Sequence, residues 1–314
     1  MLIRFFVGFL LSTAVWGAPE WVLIRTVDGT VVEGRSSGRV GEFSLSQILS
    51  FHSGAAASEL ESGRIQAGLA AIQGQDRKAR DQAVEELTSI GLPVITPLLD
   101  VYKDTDQHEP RPLYRLFEKI IPSSADGFDR NLSLVRLRDG GARRMALPEG
   151  TLAVQRDGGA ATSLPWSKIR TLAVRQKLVR RSMQVHSIRH STQIEYMDTG
   201  VILTAGSHVD SAALGFVRLS WNADGWASDA NGLTKPGSPA YKTNLVDGHP
   251  FGALVGRVGA GGEVFFLGKK AVKTGLAAGR LGLAINDNRH WQNNLGSFPV
   301  TITATDAYDL GEAQ

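Results

Sequence analysis

Apolar and polar positions change rhythm three times along this chain. From Trp21 to Gly34 a run of Val22-Leu23-Ile24 breaks at Asp28-Gly29 and resumes at Val31-Val32. That pattern predicts a hairpin, because Asp-Gly suits the positive φ angles of a tight type I′ turn. Leu45, Ile48 and Phe51 follow at three-residue spacing. Between Ala57 and Gln73 the apolar residues Leu60, Ile65, Leu69 and Ile72 trace a helical face. A second stripe of Ala83, Val84, Leu87 and Ile90 ends at Gly91, and Val94, Ile95, Leu98 and Leu99 open another helix. Leu113, Leu116, Phe117 and Ile120 suggest a further one.

After the helices the hairpin phrase returns. Leu134 to Gly141 and Leu152 to Gly159 both read strand, Asp-Gly, Gly, and Trp166, Ile169 and Leu172 repeat the three-residue apolar step. This implies two related small β units, or two halves of a single SH3-like barrel, since either alone buries little surface. Lys177–Arg189 carries many charges and few apolar anchors, and reads as a connection. From about Met183 the texture is all β. Strand-like runs occupy Gly200–Gly206, Leu214–Trp221, Gly252–Val258 and Glu263–Leu267, and Leu281, Leu283 and Ile285, then Phe298, Val300 and Ile302, alternate at period two. Short strands separated by turns predict a sandwich or jelly roll.

The expected fold is therefore mainly β with a helical insert. Small N-terminal β-barrel-like units flank a helical hairpin and precede a C-terminal jelly-roll β-sandwich. The boundaries are 18–56 and 126–182 for the small β units, 57–125 for the helices and 183–314 for the sandwich. The hairpin resembles a HEAT repeat, in which an amphipathic helix ends in Ile90-Gly91 and a Pro-containing helix follows.

Composition sharpens this outline. The 314 residues include no Cys, which excludes disulfides, thiolate metal sites and Cys nucleophiles. Residues 1–17, with Arg4 ahead of a short apolar run from Phe5 to Val15, read as a secretory signal peptide cleaved after Gly17 or Ala14. The expected location is periplasmic or secreted, with no membrane span once the signal is removed. Between Asn131 and His190 twelve Lys and Arg face only Asp139, Glu149 and Asp157. In an exported chain this basic stretch reads as a solvated face touching anionic envelope polymers rather than nucleic acid. The helical segment is a candidate surface for a protein partner. No Gly-x-Ser-x-Gly, His-Glu-x-x-His or phosphate-binding glycine loop occurs, and the acids do not cluster as a glycosidase pair, so nothing argues for an enzyme. His186 and His190, four apart, would share one face of a helix and offer two nitrogens to zinc.

The densest chemistry lies between the last two strands, from Asn286 to Phe298. Asp287 with Asn293-Asn294 supplies three hard side-chain oxygens from one loop, the ligand type calcium takes. The plain alternative is that Asn and Asp gather in hairpin loops because they bond their own backbone. Trp291 and Trp226 are candidates to stack on a sugar ring or to be buried.

From about Gly200 to Ala304 the chain resembles the PA-IL-like family of bacterial calcium-dependent galactophilic lectins. The resemblance is carried by Gly252-Ala253-Leu254-Val255-Gly256-Arg257-Val258-Gly259, by Gly279 to Asp287, and by Asn293-Asn294-Leu295-Gly296-Ser297-Phe298. It implies a jelly-roll sandwich that binds a galactose-type glycan through Ca2+. Asp287, Asn293 and Asn294 fall on side-chain calcium ligands, and a carbonyl near His290 on a loop ligand. Asp287 and Asn293 would also meet sugar hydroxyls. Through Ala213-Leu214-Gly215-Phe216 the remaining backbone ligand maps to Leu219; through Gly225-Trp226-Ala227-Ser228 it maps to Asp229. His249-Pro250 corresponds to a His-Pro sugar contact, and Trp291 lies in the same loop. The competing expectation is a non-catalytic envelope scaffold in which this site is degenerate.

Overall fold

The computed structural model describes residues 18–54, 56–74, 76–104, 116, 132–193, 195–219, 227–233, 246, 248–287 and 294–310. The chain is mainly β with a helical insert. The first strands are β1 (Glu20–Thr26), β2 (Val31–Ser36), β3 (Arg39–Val40), β4 (Phe43–Ser44) and β5 (Ile48–His52). Helices α1 (Glu59–Gln73), α2 (Arg77–Ile90) and α3 (Ile95–Asp104) follow. Strands β6 (Ser133–Leu137), β7 (Ala142–Met145), β8 (Thr151–Gln155) and β9 (Ala161–Pro165) lead into an 18-residue strand, β10 (Ile169–His186).

The two hairpin regions share one core. All their pairings are antiparallel, and the ladder runs β7, β6, β5, β10, β1, β2, β8, β9. Val22, Ile24, Phe51, Val135, Val154, Trp166 and Leu172 pack together inside it. The two stretches read as small β units thus lie in one antiparallel sheet around that core. The turn differs from the expected type I′, which needs positive φ at both central residues. Asp28 is not among the positive-φ residues; only Gly29 is, at φ 86. The Gly29 N–H closes on the Thr26 carbonyl at 3.0 Å, and Gly140 does the same on Leu137 at 3.1 Å.

The helices form a second core of Ile65, Leu69, Ile72, Leu87, Ile90, Val94, Ile95 and Leu98, joined by Leu116. Leu60 is not on the buried stripe of α1; it is 56% exposed. Five residues separate it from Ile65, so at 3.6 residues per turn it lies well round the helix. The stripe position belongs to Glu61, which is buried with Arg170 of β10. Arg170 donates from Nε to Glu61 Oε1 at 2.7 Å and from Nη2 to Oε2 at 2.5 Å. Glu61 Oε2 also accepts from the Ser58 N–H at 2.9 Å, closing the capping box of α1. Leu113, Phe117 and Ile120 lie outside the described residues.

The C-terminal region is a two-layer sandwich. Its strands are β11 (Met197–Leu203), β12 (Val209–Ala213), β13 (Val217–Arg218), β14 (Ala227–Ser228), β15 (Leu254–Val258), β16 (Val264–Phe266), β17 (Lys270–Lys273), β18 (Gly279–Ile285) and β19 (Leu295–Asp309). One layer runs β10, β19, β12, β17. The other runs β11, β18, β15, β16. Val179, Val185, Phe298, Val300 and Ile302 of the first layer meet Val201, Leu254, Leu281, Leu283 and Ile285 of the second.

Lys177–Arg189, expected as a connection, is largely strand: β10 continues to His186 and pairs with β19 from Arg175 to His186. Apolar anchors are sparse there because one face only is buried, with Val179 and Val185 inward and Arg180, Ser182 and Gln184 exposed. The basic stretch is also not one face. Arg170 is buried, Arg181 pairs with Asp309, Arg138 pairs with Glu20 at 3.4 Å, and Arg175 lies 5.5 Å from the Trp21 ring. Helix α2 touches both units. Its Glu86 accepts from Arg25 at 3.2 Å, and its Asp81 and Glu85 accept from Arg257 at 3.4 Å and from the Ala260 N–H at 3.1 Å.

Removing one partner of a buried ion pair strands the other charge, at a cost of about 3–5 kcal/mol. Glu61→Leu should therefore lower the unfolding free energy by about that amount in urea titration, and Glu61→Leu/Arg170→Met should recover most of it. A double variant no more stable than the single one would refute the pair as the link between insert and sheet. A second prediction concerns pH. The Thr26 hydroxyl, then the Thr30 N–H, hold the Asp28 carboxyl down at about 2. A folded value below the unfolded one stabilises the turn above about pH 4, and that contribution disappears as pH falls toward about 2. Thr26→Val should move the NMR titration midpoint of Asp28 back toward about 3.9.

Candidate functional site

Asn286 and Asp287 follow β18 directly, and Asn294 immediately precedes β19, so two adjacent strand ends deliver the three residues to one place. All three are buried. Asn294 Nδ2 donates to Asp287 Oδ2 and, at 3.1 Å, to the Ser187 carbonyl just beyond β10. Ser187 is fixed in turn by Gly296, whose carbonyl accepts from its N–H at 3.1 Å and its hydroxyl at 2.9 Å.

Thr192 holds the backbone of Asp287. Its Oγ1 accepts from the Asp287 N–H at 3.1 Å and donates to the Asp287 carbonyl at 3.3 Å. The Thr192 N–H bonds to Ile285 O at 2.9 Å, so this clamp extends the sheet past the end of β18. Asn286 reaches both Thr192, whose Oγ1 lies 3.5 Å from its Oδ1, and a second segment. Its Oδ1 accepts from the Val246 N–H at 3.0 Å, and its Nδ2 donates to His249 O at 2.9 Å and Pro250 O at 3.3 Å. Its main chain bonds Gly252 N at 2.7 Å and Ala253 O at 2.8 Å. The 246–253 segment is therefore stitched to the residue next to Asp287.

The remaining expected residues separate into three groups. Leu219 comes close: its side chain is buried in the sandwich core, and its Cδ1 lies 2.6 Å from where a Cβ on Gly252 would be. His249 is brought to the same corner by its carbonyl. Its imidazole turns to β16, with Nε2 3.2 Å from Val264 O and the ring stacked on Phe266 at 6.5 Å. Asn293, His290, Trp291 and Trp226 lie outside the described residues. The alternative ligand position Asp229 has its carboxylate engaged by Lys269 Nζ at 2.7 Å and the Asn231 N–H at 2.8 Å. The Lys269 hydrogen bond is the main reason the Asp229 carboxyl sits below its ordinary range.

His186 and His190 do not share a helix face. His186 ends β10, the chain turns, and His190 Nδ1 accepts from the His186 N–H at 3.0 Å with ring centroids 5.8 Å apart. Burial, then the Arg189 charge, lowers the His186 imidazole below its ordinary pKa. Among the described residues no three His, Asp or Glu side chains gather as a metal site. The Asp287–Asn294 pair is a different donor set, a carboxylate and an amide carbonyl, whose hard oxygens suit calcium.

Sequence reasoning missed Thr192 and Ser187, which sit in a stretch with no periodic or motif signal. Asn286 was visible as one more loop amide, but only its contacts reveal that it fastens another segment. Asn286→Ala removes the amide that bonds the Val246 N–H and the His249 carbonyl, at about 1–3 kcal/mol. Thermal unfolding should report that loss, and hydrogen exchange at Val246 should accelerate. Unchanged exchange there would mean Asn286 does not hold the segment.

No family model and no curated protein matches this chain. A solved structure described as "EclA N-terminal domain; PllA-like lectin" is similar to it, at 25% identity over 40% of this chain and 96% of that one, with a TM-score of 0.30.

Proposed function

We propose that the C-terminal sandwich binds carbohydrate at the Asp287–Asn294 corner, with calcium as the bridging ion, in an exported protein that carries no catalytic site of its own. One observation supports this above the others. A carboxylate and an amide seven residues apart are buried side by side at adjacent strand ends, and Thr192 fixes the backbone of the carboxylate. The donor set fits calcium. Asp287 and Asn294 would hold it with Asn293, and the Leu219 and His290 carbonyls complete the set that the family resemblance implies. The bound ion would neutralise the buried carboxylate and offer open positions to vicinal sugar hydroxyls. Galactose-type sugars are the first to test, because the Gly252–Gly259, Gly279–Asp287 and Asn293–Phe298 motifs resemble the galactophilic family.

A second reading has its own observation. Asn294 turns its amide N–H, not its carbonyl, toward Asp287. The amide then serves as a strut for the carboxylate, and the protein is an envelope scaffold whose partners dock elsewhere, such as on the helical insert.

Calcium decides between them. At a hundredfold excess over its Kd, calcium should raise the unfolding free energy by about 2.7 kcal/mol, and Asp287→Ala should abolish the gain. Calorimetric titration of calcium, then of galactosides on the calcium-loaded protein, gives the binding directly. No heat from either leaves the scaffold reading.

A further inference from the structure

The outer face of the sandwich carries an apolar platform that leads into the candidate site. Ala213 pairs with Val300, the Leu214 N–H bonds Pro299 O at 2.9 Å, Val217 pairs with Gly296, and Arg218 pairs with Leu295. Residues 214–216 join β12 to β13 beside β19, and Gly215 at φ 80 interrupts the strand there, so Leu214, Gly215 and Phe216 are all exposed. Ala213 and Val217 are buried, while Leu214, Phe216 and Leu295 stand 73%, 68% and 51% exposed. On the other side of β19, Gln184 pairs with Pro299 and His186 with Ser297. Ser297 Oγ donates to Gln184 Oε1 at 3.0 Å.

The backbone beneath Phe216 is tightly held. A Cβ on Gly296 would lie 2.9 Å from the Phe216 carbonyl, and Gly296 has φ 89, so that position takes only glycine without strain. The Phe216 backbone therefore lies directly against β19. Leu219 and Asn294, the next residues beyond the Arg218–Leu295 rung, belong to the candidate site. Three residues of strand separate their rung from Phe216, about 10 Å at 3.3 Å per residue.

We infer that Phe216, flanked by Leu214 and Leu295, is an extended subsite for an oligosaccharide. It takes the apolar face of a sugar ring distal to the one held at Asp287. The inference rests on the carbohydrate binding proposed above and adds that the ligand has more than one ring. The chemistry of the patch suits that occupant: an exposed aromatic for the ring face, with Gln184, Ser297 and Arg218 at its edge for hydroxyls. It suits a second copy of the chain less well, because a stable interface covers about 800 Å² per partner and this patch is a few side chains interrupted by polar ones.

The test uses the full chain with calcium and an array of galactose-terminated mono-, di-, tri- and tetrasaccharides. Wild type should bind the longer glycans more tightly than the monosaccharide. Phe216→Ala should weaken the longer ones about three- to tenfold and the monosaccharide less than about twofold. Phe216→Tyr should restore length dependence, and equal melting temperatures would exclude a folding defect. Glycan binding by wild type that is the same at every length, or unchanged in Phe216→Ala, overturns the subsite and leaves carbohydrate binding standing. No glycan binding by wild type overturns both. Conversion of a dimer to a monomer by Phe216→Ala in sedimentation makes the patch a contact between copies and also overturns it.

Discussion

A single continuous strand ties the architecture together. β10 gives Ile169, Leu172 and Val174 to the core of the first β unit and Val179 and Val185 to the sandwich. Its hydrogen bonds go to β1 and β5 over the first stretch and to β19 over the second. A strand cannot rotate about its middle without breaking its ladders, so the two units are held by backbone geometry rather than by a linker. Tyr308 adds a tie at the junction. Its phenol donates to Glu33 Oε1 of β2 at 2.6 Å, and burial, then this bond, keeps it protonated well above the ordinary range.

The helical insert leans on this frame through charge. Arg170 and Glu61 fix α1 on β10, and the Arg25–Glu86 and Arg257–Asp81 contacts set α2 between the β unit and the sandwich. The first pair is enclosed, so its strength does not depend on salt as that of an exposed pair would. Burying it is costly, and a hydrophobic replacement could be equally stable. What the pair supplies is a specific docking position for a helix whose apolar stripe is already committed to the other helices.

The candidate site depends on the same logic of strand ends. β18 and β19 are the ladder neighbours of β11 and β10 in opposite layers, and both start or stop at the same corner. That coincidence brings Asp287 to Asn294 and lets Ser187 and Thr192, from the β10–β11 connection, reach both. Asn286 then fastens the 246–253 segment against the corner. The strand side of the candidate site is held by these backbone and side-chain bonds.

Local pattern alone determined much of this protein. Alternation in Leu281–Ile285 and Phe298–Ile302, the helical stripes ending at Gly91, and the Asp-Gly turns located most elements, because period and turn chemistry are short-range properties. The motif residues Asp287 and Asn294 were likewise legible, being a dense polar cluster between two strands. Other features came only from tertiary structure. The apolar spacing puts Leu60 on the apolar face of α1, whereas the buried position is Glu61, whose partner Arg170 lies over a hundred residues away in β10. The charged stretch from Lys177 looked like a connection because a strand buried on one face needs few apolar anchors. Thr192, Ser187 and the second role of Asn286 left no mark in the sequence, since a hydrogen bond to a distant backbone carries no local signature. Tertiary packing decided the rest: it left Phe216 exposed, buried Val217, and brought Asn294 beside Asp287.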